Sequence, residues 1–138
     1  MNAIFLISRI LFAALFLGAS IGHLAKSEAL AQFAAYKGAP GGKAGVRLMG
    51  VLFLVGGLSV LLGMYGDVGA LVLIVALIPL TFIMHTFWKE TDEQARTLEQ
   101  GNFNKNIALM GGSLAFFLLF AGFGSELGWT ITHSLISL

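Results

Sequence analysis

The sequence predicts an all-α membrane protein, an antiparallel bundle of four transmembrane helices with short interfacial helices in its two long connections. Three observations carry this. Four apolar stretches, Ile4–Leu24, Leu48–Tyr65, Val68–Trp88 and Ile107–Phe123, fall in the range of about 17–25 residues that a helix needs to cross a bilayer core. Charged residues make up 11% of the 138-residue chain against 57% hydrophobic ones, where soluble domains carry about 25% charged residues. The cations also avoid the spans: Lys26, Lys37, Lys43 and Arg47 lie in one connection, Lys89, Arg96 and Lys105 in another, and Arg9 alone elsewhere. The spans and connections occupy residues 1–138 as one domain, with no room for a separate catalytic unit.

The first span resembles a signal peptide in position but not in pattern. Its only cation, Arg9, falls inside the apolar run rather than before it, so the span is read as a retained helix. In the connection that follows, Ser27 suits an N-cap, Glu28 suits a helix start, and Gly38 with Pro40 makes a stop. Leu30, Phe33 and Ala34 give that short helix an apolar stripe. Gly63 to Asp67 is a tight turn that makes spans two and three antiparallel neighbours. Pro79 predicts a kink in span three. Thr91 with Gln94 reads as a capping box opening a second surface helix, which Gly101 ends before span four. The pairs Gly18 with Gly22, Gly56 with Gly57, and Gly111 with Gly112 read as packing faces, because helices in lipid associate through close contact at small residues.

Both cation-rich connections fall on one side of the membrane, which the positive-inside rule makes cytoplasmic. Both termini are then expected outside, with Asp67 and Glu126. No cysteine is present, which excludes thiolate nucleophiles and Cys-ligated clusters. A net charge of +1 argues against nucleic acid as a partner. The lipid bilayer is the first partner the chain implies.

Chemistry must come from the polar groups of the spans. Arg9 lies inside an apolar helix, where an unpaired cation costs several kcal/mol. Glu126 and Asp67 close and open spans at the same end, so a structural intramembrane ion pair of Arg9 with one of them is expected. An anion or headgroup site is the other reading. At the opposite end, His23 closes span one, His85 and Trp88 close span three, and Lys105 with Asn106 open span four. Imidazole near neutral pH shuttles protons, ligates metal or hydrogen-bonds a carbonyl. Two histidines without a further ligand at matching depth make no metal site, so none is assigned. Histidines resting in the headgroup region are the bland alternative.

Several elements resemble the DoxX family of small membrane proteins. They are the run from Arg9 to Gly18 leading to Gly22-His23, then Gly38-Ala-Pro40, His85-Thr-Phe-Trp88, and Phe103-Asn-Lys105-Asn106 running to Gly112. The chain departs from the family at Gly124-Ser125-Glu126-Leu127, where relatives carry a Ser-Leu-Asp-like element. The resemblance implies a four-helix fold in a bacterial cytoplasmic (inner) membrane. Its relatives include a membrane subunit of a thiosulfate:quinone oxidoreductase and proteins of oxidative-stress complexes. The resemblance thus points toward quinone or redox chemistry, and the residues at the cytoplasmic end give the candidate site for a quinone or a polar headgroup: His85 on one carbonyl, Trp88 stacking, His23 or Lys105 at the second oxygen, and Asn106 beside them. Without cysteine, haem or flavin motif the chain needs a redox partner protein to bring electrons, so any enzyme activity belongs to a complex. A scaffold that assembles with other membrane proteins or with a second copy of itself is the alternative reading. A small-solute carrier is a third, against which stands the lack of a repeat between the two halves.

Overall fold

A computed structural model of the chain describes residues 2–124 and 126–138, so Ser125 of the departing Gly124–Leu127 element lies outside the described residues. Four long helices, α1 (Asn2–Ala25), α3 (Gly42–Leu62), α4 (Gly66–Pro79) and α5 (Glu93–Phe123), form the bundle, and α2 (Ser27–Tyr36) bridges the first two. Counting the continuation of α4 to Lys89, all four are long and apolar enough to cross a membrane.

Neighbours in sequence are neighbours in space: α1 packs on α3, α3 on α4, and α4 on α5, with α2 lying against α3. The ring closes between α1 and α5 through phenylalanine side chains. Phe5 meets Phe120 at a centroid distance of 5.5 Å, and Phe12 meets Phe116 at 4.7 Å. Phe16, Phe53, Leu73, Leu77 and Phe120 fill the centre. The α3–α4 approach depends on glycine. A Cβ at Gly56 would run into Leu73, and one at Gly69 into Ser59. Gly18 and Gly22 are a correction to the sequence reading within this bundle, because a Cβ added at either would meet nothing within 4 Å among the described residues. The inner face of α1 is set by Arg9, Ala13, Phe16 and Ser20 at helical spacing, and the two glycines lie off it.

The predicted tight turn forms as expected. Gly63 ends α3 in the left-handed region (φ +62°), and α4 begins at Gly66. Pro79 ends α4 more sharply than a kink. A π-turn (Leu80–Met84) follows, then non-helical His85 and Thr86, then a 3₁₀ turn (Phe87–Lys89). His85 thus leaves the helix axis.

Two readings of the connections are corrected. Ser27 does not cap α2 but starts it, and its buried hydroxyl oxygen accepts from Arg47 Nε at 3.4 Å. The second surface helix does not exist as a separate element. Asp92, not Thr91, is the N-cap, accepting from the Ala95 amide at 2.8 Å, and α5 runs unbroken through Gly101 to Phe123. A glycine ends a helix when it turns left-handed at the C-cap. Gly101 stays helical, at a cost of about 1 kcal/mol that the cap and the tertiary packing offset.

Candidate functional site

The bundle has two polar ends, and they are built differently. At the end that carries the termini, Arg9 is 1% exposed. It caps the C-terminus of α3. Its Nε donates to the Val60 and Leu61 carbonyls at 3.0 and 3.1 Å, and Nη1 donates to Trp129 O at 2.9 Å. Those α3 carbonyls belong to the last turn, where carbonyls run short of intrahelical donors and the negative end of the helix dipole lies, although Val60 O also accepts from the Gly63 amide at 3.3 Å. The expected ion pair is therefore corrected. Among the described residues no ion pair joins Arg9 to Asp67 or Glu126, because the helix end already satisfies the guanidinium. Asp67, fully buried in the first turn of α4, accepts from the Leu135 and Ile136 amides at 2.9 and 2.7 Å through Oδ2. Glu126 is exposed. The tail also pairs Ile131 with Leu62 O, Thr132 with Gly63 O, and Leu138 with Ala121 O, so it is folded over this end.

The other end holds a cavity. It measures about 220 Å³, and His23, His85, Lys105 and Asn106 line it together with Phe16 and Phe53. Four of the residues expected to converge thus do so. Trp88 does not. It is half exposed and packs edge-on against Phe87 and Phe103, away from the cavity wall. The uncoiling after Pro79 moves it off the helical register that would have placed it one turn beyond His85. A second, larger cavity of about 360 Å³ shares His23, Leu30, Phe33, Leu80 and Met84 as wall residues and is otherwise almost wholly apolar. It lies between α2, the start of α3 and the end of α4.

Polar capacity in the smaller cavity is unspent. Asn106 is 3% exposed, and its Nδ2 has no hydrogen-bond partner among the described residues. A buried amide donor left unmade costs about 1–3 kcal/mol, the kind of group that a bound water or a ligand acceptor satisfies. His23 Nδ1 lies 2.9 Å from Ala19 O, one turn back, and its ring stands edge-on to Phe53. A carbonyl only accepts, so Nδ1 carries the proton and Nε2 keeps a lone pair. Lys105 sits at the exposed rim, its Nζ 3.3 Å from Asn102 Oδ1.

His85 belongs to a buried ion network that sequence reasoning missed. Its Nδ1 is 2.7 Å from Glu99 Oε2, and Glu99 Oε1 is 3.1 Å from Lys37 Nζ, which also pairs with Glu90. Burial disfavours the Lys37 charge, but the bonds to Glu90 and Glu99 outweigh it and raise the ammonium pKa above its ordinary value. Lys37 follows the last residue of α2, so the network also pins that helix over the cavities. The signal for Glu99 was its spacing. It lies seven residues before Asn106, two turns along one helix face, and the stop read at Gly101 hid that register.

Comparison with known proteins gives one match. The DoxX family matches residues 4–86, which is more than half of the chain. The chain belongs to the DoxX family. No curated protein and no solved structure matches it. The DoxX match spans α1 to the π-turn and includes Arg9, His23, Asp67 and His85. It stops before Trp88 and before α5, so Glu99, Lys105 and Asn106 are argued from the geometry of this chain alone.

Proposed function

We propose that this DoxX-family membrane protein is a redox-associated subunit that binds a quinone in the cavity between His23, His85 and Asn106. The cavity end faces the cytoplasm of a bacterial inner membrane, since the cation-rich connections lie there. The observation that carries the reading is the buried, unpartnered Asn106 amide in a cavity flanked by two imidazoles. The adjoining apolar cavity suits the hydrocarbon chain of the same molecule. Bound there, a quinone supplies two-electron chemistry. The protein's own residues orient the ring, shield it from water beneath α2, and hold a proton at imidazole. Electrons come from a partner protein, because the chain has no cysteine to form a thiol pair.

Native mass spectrometry of the chain released from mild detergent, with identification of co-released small molecules, tests this. Wild type should retain a quinone in either oxidation state, and His85→Ala should lose it while staying folded. A ligand-free wild type, or equal retention by the variant, overturns the reading. A scaffold role is the second reading, favoured by Gly18, Gly22 and Gly111, where an added Cβ would meet nothing within 4 Å among the described residues and another helix could pack. A ligand-free homo-oligomer or hetero-complex in the same spectra supports it.

A further inference from the structure

The two histidines of the cavity are held in the same tautomer by unrelated partners. The Ala19 carbonyl takes the Nδ1 proton of His23. Glu99 takes that of His85, and the Glu99 carboxylate is itself fixed because its second oxygen holds the Lys37 ammonium. Each imidazole, when neutral, therefore offers the cavity a lone pair at Nε2, while Asn106 Nδ2 offers a donor. A quinone oxygen only accepts, so it satisfies Asn106 and leaves both imidazoles unmatched. A hydroquinone brings two O–H donors as well as oxygen acceptors and matches all three groups.

We infer that the cavity selects the reduced, hydroxyl-bearing form of its ligand, and that Glu99 is the positioning residue that imposes this choice through His85. The inference rests on the quinone reading for the class of ligand, not for the tautomer. A structural clasp for α2 needs only Lys37 and Glu90. Glu99 does more, since it is 8% exposed and joins that clasp to an imidazole in the cavity wall. Lys37 pairs with both carboxylates, Glu90 and Glu99, which holds the Glu99 oxygen that meets His85 Nδ1 in place. When a ligand O–H passes its proton to Nε2, the O–H bond breaks, the N–H bond forms, and the ligand oxygen keeps the negative charge. Asn106 and the rim cation Lys105 line the same cavity and can meet that oxygen. The charged and titratable groups facing His85 are thus Glu99 and Lys105 on α5, Lys37 after α2, Glu90 after the 3₁₀ turn, and His23 on α1.

The test has a ligand-free and a ligand-bound arm. Nitrogen-15 NMR of histidine-labelled protein in nanodiscs, at mildly alkaline pH, should show His85 protonated at Nδ1 and bare at Nε2. In Glu99→Ala the proton should move to Nε2. Decylubiquinol, kept anaerobic, should bind wild type about tenfold more tightly than decylubiquinone, roughly the ratio one well-formed hydrogen bond supplies. Glu99→Ala should erase that preference while still binding both. An Nε2-protonated His85 in wild type, equal binding of the two forms, or a preference that survives Glu99→Ala overturns the inference and leaves the quinone reading standing. Binding of neither form defeats both.

Discussion

The two polar ends of this bundle use the same kinds of residue to opposite effect. At the end that carries the termini, Arg9 and Asp67 are deeply buried, and Arg9 and the Oδ2 of Asp67 are spent on the chain's own backbone, while Asp67 Oδ1 has no hydrogen-bond partner among the described residues. They close a helix end and fasten a tail. At the other end, Asn106 is nearly as buried but keeps its donor, and each histidine uses Nδ1 and leaves Nε2. A buried polar residue in a membrane protein is a functional candidate by default. Their surroundings separate the two unpartnered buried atoms: Asn106 belongs to the wall of a cavity, whereas Asp67 lines neither of the two cavities described.

That contrast can be broken or sharpened by substitution. The largest effect is expected from Arg9→Met, which strips the guanidinium from the Val60, Leu61 and Trp129 carbonyls and should cost about 3 kcal/mol or more. A detergent melt would show it as a large fall in Tm, and an unchanged Tm would remove Arg9 from the framework. Asp67→Ala comes next, at about 1–3 kcal/mol, because two amides lose their acceptor. Hydrogen exchange should then quicken at Leu135 and Ile136 while the α3–α4 core stays protected.

Lys37→Met should have a smaller effect on the melt and a specific one on pH. The folded-state pKa of Lys37 is raised above 10.5. Its contribution is therefore complete below the unfolded value and is lost as pH rises through the higher folded value. Proteolysis between α2 and α3 should increase only in strong alkali for wild type, but already at neutral pH for the variant. The smallest effect on stability is expected from Asn106→Leu, near zero or stabilising, since it removes an unmade buried donor. A loss as large as that for Asp67→Ala would mean that the amide is spent in the apo protein and is not free for a ligand.

The four spans were legible because membrane length and charge exclusion act on whole segments. So were the turn at Gly63 and the convergence of His23, His85, Lys105 and Asn106. The rest depended on side-chain pairing that a one-dimensional pattern does not carry. Arg9 was matched to an acid by charge, while the acceptors it meets are the carbonyls of a helix end. Trp88 was placed by helical spacing that the π-turn after Pro79 abolishes. Glu99 was concealed by one glycine taken as a stop. Had α5 been read through Gly101, Glu99 and Asn106 would have shared a face, and the acid beside His85 would have been in view.

The most direct test of the central claim, that the open amide marks a ligand site, is native mass spectrometry of Asn106→Leu beside wild type. The expected result is a small amphiphile retained by wild type and absent from a variant that melts at the same temperature or higher. Equal retention by both would contradict it.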